Sequence, residues 1–347
     1  MDDFADRKTV SEYRNYKVHL EVLRLLAIFF VIFNHTKERG FDLYRYTDSA
    51  PTYYAGYTLS ILCKVAVPIF FMISGALLIG REETIKDVFR KRILRIILII
   101  CVFTLLQYIR ICMAQNMRPN LLTYLAVCYS GNIIEPYWYL KAYLGYLLVL
   151  PFLRYIAKSV TKEGQRFFVI LCAIKVLTEI LGIITNYQMN VSLIMCSDII
   201  CYPLLGYFLE NGEVLNSLKR ISLPAFPVVL ILTVGGAIYY RQIYGAFGEA
   251  FLSVSVLPLA VLLFSLSLNI KDSSSKGARI NVSAGRCVFG VYLIEDVMRN
   301  LLIYHLHWNW DLMTPLINCI CFSAVTMVLA SAIIYLLRLI PFVKKIL

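Results

Sequence analysis

The stretch LEVLRLLAIFFVIFNHTKERG, residues 20–40, decides how this chain is read. Leu25 to Phe33 is unbroken hydrocarbon, yet Arg24 stands directly before that run and His35 just after it. Eleven residues at 100° apiece make three turns plus about 20°, so the two polar side chains share one helix face, roughly 16 Å apart. What surrounds such a helix follows from the rest of the chain. Hydrophobic residues make up 59% of its 347 residues and charged ones only 16%. Soluble proteins are about 45–50% apolar, so an all-α, polytopic bundle embedded in a membrane is expected.

A spanning helix needs about 20 mainly apolar residues. Ten segments meet that length, at approximately 18–36, 55–79, 93–113, 137–157, 167–185, 191–209, 222–240, 248–269, 284–304 and 315–338. The piece LLTYLAVCYSG, 121–131, is too short and reads as an interfacial or re-entrant helix. Ten spans put both termini on one side, and the basic residues test this. The N-terminal side collects Arg7, Lys8, Arg14 and Lys17, the run from Arg81 to Arg95, and further groups near 154–166, 219–220, 271–286 and 338–345. The other side carries only Lys37, Arg39, Arg45, Arg110, Arg118, Arg241 and Arg299. Both termini are therefore expected in the cytoplasm.

The polar stretch before the first apolar run lacks the pattern of a cleavable signal peptide, so the first span is expected to be retained. No internal repeat or Pro-rich linker interrupts the chain, and SSSKG, 273–277, reads as a short cytoplasmic loop. A single membrane-embedded domain over residues 1–347, with no appended soluble domain, is expected. The net charge of +12 is spread over short loops beside apolar segments, which suits orientation signals and anionic lipid headgroups rather than nucleic acid. The ten cysteines lie mostly in apolar runs, and Cys319 and Cys321 form a lone CxC, so no metal site is expected.

Four basic residues fall inside the spans: Arg24, Lys64, Lys141 and Lys175. Each charge near a helix centre costs about 2.5–3.5 kcal/mol, on the order of 10 kcal/mol together before pairing or snorkelling. The acids Glu179, Asp198, Glu295 and Asp296 accompany them. Such a set faces a protein interior or a water-filled cavity, so the bundle is expected to enclose one.

Several motifs carry chemistry, each with a plainer structural alternative. Glu21 stands three residues before Arg24, so an ion pair at the inner interface with a snorkelling histidine at the outer one competes with a catalytic reading. In that catalytic reading Arg24 orients an anionic donor and His35 is a general base in a shielded cavity. RKRILRI, 90–96, puts Arg92 and Arg95 on one face; forked guanidinium groups suit a phosphorylated donor, or simply anchor the helix on its positive side. Ser74 and Gly75 in VPIFFMISGALLIG allow close helix packing or leave room beside a ligand. Trp138 and Lys141 in EPYWYLKAYLGYLL combine an aromatic belt with a charge one turn deeper, together able to hold a sugar ring. In FGVYLIEDVMRN, Tyr292, Glu295 and Arg299 share a face, where a Glu295–Arg299 ion pair is the structural alternative. HLHWNW, 305–310, reads as interfacial anchoring.

The order of these motifs over nearly the full length resembles the membrane-bound acyltransferase family 3. The likeness rests on Arg24-x10-His35, VPIFFMISG, Arg92-x-x-Arg95, YWYLKAYLGYLLVLPFL and FGVYLIE. The resemblance implies about ten core helices and transfer of an acyl group, often acetyl, from cytoplasmic acyl-coenzyme A to a hydroxyl of a lipid-linked or surface saccharide. It implies His35 as catalytic histidine, with Arg24, Arg92 and Arg95 as functional arginines toward the donor. Where many relatives carry histidine after the YL-x pattern, this chain has Glu295. Ser74, Trp138, Lys141, Tyr292 and Glu295 are expected toward the acceptor or the cavity wall. Direct transfer and an acyl-histidine or acyl-serine intermediate, the latter through Ser74, both remain open. Expected partners are acyl-CoA, a saccharide or glycolipid acceptor, cell-membrane lipids and polysaccharide-assembly proteins. The competing class is a transporter or flippase of a lipid-linked saccharide, because intramembrane charge also marks translocation paths.

Overall fold

The computed structural model describes residues 17–130, 135–185, 187, 196–212, 214, 216–245, 255–270, 276–341 and 343. All its regular elements among these residues are helical. Helix α1 is Val18–Asn34, α2 Ala50–Lys64, α3 Ala66–Leu78, α4 Ile85–Val88, α5 Leu94–Ala114, α6 Leu121–Ser130 and α7 Trp138–Ser159. Then follow α8 Lys162–Thr185, α9 Asp198–Asn211, α10 Leu218–Tyr244, α11 Val256–Ser267, α12 Lys276–Gly285, α13 Val288–Asn300 and α14 Pro315–Leu337.

Among the described residues, six helical stretches are long and apolar enough to cross a membrane: Ala50–Leu78, Ile85–Ala114, Trp138–Ser159, Lys162–Thr185, Leu218–Ile243 and Pro315–Leu337. The other four expected spans correspond to shorter or more polar helices. Helix α1 has 17 residues, α9 has 14 and α11 has 12, while α13 runs on through a π-helical turn at Leu301–His305. Helices α1, α9 and α13 bury more than half of their residues and α11 buries half, whereas the long Lys162–Thr185 and Leu218–Ile243 bury few and are suited to lipid. The parts of the expected spans at 191–195 and 248–254, the basic residues Arg7, Lys8 and Arg14, and Ser273–Ser275 lie outside the described residues.

Local breaks follow from sequence. Helix α2 stops at Lys64 because Pro68, four residues on, lacks an N–H and its ring opposes the Lys64 carbonyl. Pro51 and Pro315 open α2 and α14, where a missing donor costs nothing. A π-helical turn, Phe89–Ile93, joins α4 to α5 and carries Arg90, Lys91 and Arg92. Such turns insert an extra residue per turn and often mark functional positions. The short helix expected at 121–131 is α6, held against α5 by the Tyr124 hydroxyl donating to the Cys101 carbonyl at 3.0 Å.

Helix α3 is apolar almost all round and sits inside the bundle, in contact with α1, α2, α7, α9 and α11. Its contact with α9 is backbone to backbone. A Cβ on Gly75 would lie 1.9 Å from the Pro203 carbonyl oxygen, and one on Gly206 would lie 2.1 Å from the Met72 carbonyl oxygen. The two glycines thus face opposite backbones, as small residues do where membrane helices meet closely. Gly75→Ala or Gly206→Ala should each cost about 1–3 kcal/mol through overpacking and lower the thermal midpoint in detergent. Gly235→Ala, on α10 where a Cβ meets nothing within 4 Å, should leave it unchanged or raised.

Candidate active site

A cavity of about 1400 Å³ runs beside α1, and both Arg24 and His35 line it. Small-molecule pockets are about 300–1,000 Å³, so this one has room for a large ligand or for two. Its wall includes Arg92, Arg95, Ser74, Trp138 and Tyr292, so most of the side chains singled out in the sequence converge on one space. Tyr139 and Tyr143 complete an aromatic side, their rings stacked at 6.0 Å, with Tyr292 edge-on to Tyr139 at 5.6 Å.

His35 lies where α1 ends. Its Nδ1 is 2.5 Å from Oε1 of Glu295, a carboxylate whose residue is fully buried. Glu295 stands behind the imidazole and does not line the cavity, contrary to the expectation for it. Its second oxygen, Oε2, is buried without a hydrogen-bond partner among the described residues. The Glu295–Arg299 ion pair, the structural alternative, is not formed, since Arg299 donates to Asp296 Oδ1 at 2.5 Å and to the His35 carbonyl. That last bond fixes the end of α1 against α13. Two phenols secure α13 from the other side: Tyr137 donates to the Leu293 carbonyl at 3.1 Å, and Tyr292 to that of Pro136. A carboxylate on Nδ1 sets the tautomer in which Nε2 is free to accept a proton.

Arg24 combines its two sequence alternatives. Its Nη1 bonds Glu21 Oε1 at 2.5 Å, and the same side chain still lines the cavity. Farther along, Arg81, Lys91, Arg92 and Arg95 make one stretch of the wall cationic. Arg92 bonds Glu83 through two nitrogens, Nε at 3.0 Å and Nη2 at 2.5 Å. Arg154 reaches the same carboxylate at 2.9 Å and also donates twice to the Leu78 carbonyl, at 2.9 and 3.0 Å, closing the C-terminus of α3. Sequence reasoning counted Arg154 as a loop charge and passed over Glu83. Seventy-one residues separate the pair, and nothing local signals the contact. Hydrogen bonds from Arg92 above all, and then from Arg154, hold the Glu83 carboxyl down to about 2.

Ser74 and Gly75 divide the two roles foreseen for them. Gly75 serves the contact with α9, while Ser74 lines the cavity with its hydroxyl donating to the Phe70 carbonyl at 2.8 Å. Lys175, Glu179 and Asp198 also line it, with Lys175 Nζ 3.5 Å from both acids. Lys141 is the correction. It lies off the cavity wall, its Nζ donating to the Tyr129 carbonyl at 2.8 Å, so it ties α7 to the end of α6 rather than joining Trp138 around a ligand. Cys319 packs on Thr36 at 3.1 Å, and no group of three metal-ligating side chains occurs among the described residues.

Fold and site together define a class, a membrane protein whose helices enclose a shared site with an oriented histidine and clustered arginines. Within that class, the acyltransferase family 3 model, described as an acyltransferase domain, matches residues 18–336, and the chain belongs to this family of acyltransferases. No curated protein and no solved structure matches it.

A depressed carboxyl contributes stability that is fully present above its unfolded value, about 4.3, and is lost as pH falls toward its folded value. The loss of thermal stability in Glu83→Gln should therefore be constant from about pH 6 to 8 and shrink steadily below about pH 4. Paired thermal melts across pH measure this, and a difference that grows on acidification would contradict the clamp.

Proposed function

We propose that this acyltransferase moves an acyl group, most simply acetyl, from cytoplasmic acyl-CoA to a hydroxyl of a cell-surface or lipid-linked saccharide. It works in the cell membrane as a single domain with ten spans and both termini in the cytoplasm. The observation that carries the reading is the 2.5 Å contact between His35 and buried Glu295, on a cavity that also holds the arginine-lined wall. Four of the ten spans are then short because interior helices are shielded by neighbours rather than by lipid.

In this reading Arg92 and Arg95 hold the phosphates of the donor, with Arg24 between them and the reacting centre. His35 Nε2 takes the proton from the acceptor hydroxyl as its oxygen attacks the thioester carbonyl. The tetrahedral intermediate collapses, the C–S bond breaks, and the departing thiolate receives the proton from the imidazolium. An ester has replaced the thioester, and charge and protons balance. Glu295 is a positioning residue that holds the ring and stabilises the imidazolium. Ser74 donates to its own helix and has a phenol, Tyr143, rather than a histidine or carboxylate beside its hydroxyl, which favours direct transfer over an acyl-serine.

His35→Ala should reduce acyl transfer by about 10²–10⁴-fold with insertion retained, and should lower the thermal midpoint because buried Glu295 loses its partner. Glu295→Gln should lower kcat with little change in the KM for acyl-CoA. Radiolabelled acetyl-CoA with purified protein and glycan acceptors reads both. Transport of a lipid-linked saccharide, the alternative class, leaves no acyl ester in that assay. A His35→Ala protein that inserts normally and acylates at the wild-type rate ends the proposal.

A further inference from the structure

A second cavity, of about 500 Å³, meets the first at His35 and Pro136, which belong to the walls of both. Its charged lining is Lys37, Arg39, Arg110 and Arg299 against the single carboxylate of Asp296. That carboxylate is already committed, to Arg299 at 2.5 Å and to Arg110 at 3.6 Å. The Arg39 guanidinium lies over the Trp310 ring, 4.7 Å from its centroid, and no acidic side chain pairs with it among the described residues. A guanidinium held over an aromatic ring keeps its N–H donors along its own edge, the direction from which carboxylate or phosphate is bound bidentately.

The shelf is built, not incidental. Trp310 packs on Phe322 at 4.9 Å, and the turn that carries it is pinned by Trp308 Nε1 donating to Asn318 Oδ1 at 2.6 Å and Asn318 Nδ2 donating to the Asn309 carbonyl at 2.9 Å. This is the HLHWNW segment, which the donor-side chemistry leaves without a task. Lys37, two residues beyond the catalytic histidine, holds a left-handed backbone with φ of +46°, a cost that surrounding structure sustains mostly at functional positions.

We propose that this second cavity is the acceptor site, and that the acceptor is an anionic saccharide, with a carboxylate or phosphate near the hydroxyl that receives the acyl group. The inference rests on His35 being the base, since only then does a cavity on its far side have the reacting hydroxyl to place. Donor and acceptor enter different cavities and meet at one imidazole. The excess of cations selects against neutral glycans, and Trp310 holds the Arg39 guanidinium in place for the anion.

The test begins in cells that make the protein. Ester-bearing sugars from the wild type and from a His35→Ala strain are compared by mass spectrometry, and the ester lost in the variant identifies the acceptor. That sugar, or the unit next to it, should carry a carboxylate or phosphate; a neutral sugar in a neutral glycan overturns the proposal. If His35→Ala loses no ester, the assignment of the base has failed instead, and the two failures are distinguishable. The deacylated glycan is then offered to purified protein. Arg39→Gln and Lys37→Gln should each raise the KM for glycan by about tenfold while leaving the KM for acyl-CoA unchanged, which also shows that the variants are folded. Neutralising the glycan's anion should cost the wild type the same factor and Arg39→Gln almost nothing. Equal use of neutralised and charged glycan, or a dependence that follows phosphatidylglycerol content in the nanodisc rather than the acceptor, overturns it.

Discussion

A charged side chain held among packed helices needs a partner, and in this bundle several of the partners lie far apart in sequence. His35 reaches Glu295, Arg154 reaches Glu83, Lys175 reaches Asp198, and Lys17 and His19 both reach Glu210. Each contact joins segments that have no local reason to meet. Where such a pair is largely shielded from water, as His35 and Glu295 are, it adds little net stability, because the desolvation cost offsets most of the Coulombic gain. Their value is positional: removing one member strands the other in a low dielectric, so the helices are held in the one arrangement that satisfies both. The site inherits its geometry from that requirement.

Apolar packing works in the opposite sense. Helix α3 needs no partner for its side chains and is fixed by how closely its backbone approaches α9 at Gly75 and Gly206. That approach leaves Ser74, one residue away, on the cavity side. The same short stretch thereby sets both a helix contact and a piece of the site wall. Arg154 links the two systems, since it closes the end of α3 and shares Glu83 with Arg92.

Two cavities with different linings meet at His35. The larger one combines an aromatic side with a cationic stretch. The smaller one is a cationic shelf next to the packed rings of Trp310 and Phe322. A membrane enzyme that takes substrates from opposite faces needs such an arrangement, because neither substrate can cross the bundle to reach the other.

Helical class, apolar spans and the shared face of Arg24 and His35 were legible in the sequence, because each depends on a repeat of 3.6 residues or on the cost of charge in lipid, and both are local. The doublet Arg92 and Arg95 was legible for the same reason. Tertiary structure alone decided what each polar group faces. It made Glu295, expected toward the cavity with Arg299 as its alternative partner, the partner of His35, took Lys141 out of the cavity, and brought Glu83 onto Arg92. It also gave Trp310 a place in a cavity wall instead of a loop. Periodicity assigns a side chain to a face of its own helix; which neighbour occupies that face depends on how every other helix packs, and no local pattern encodes that.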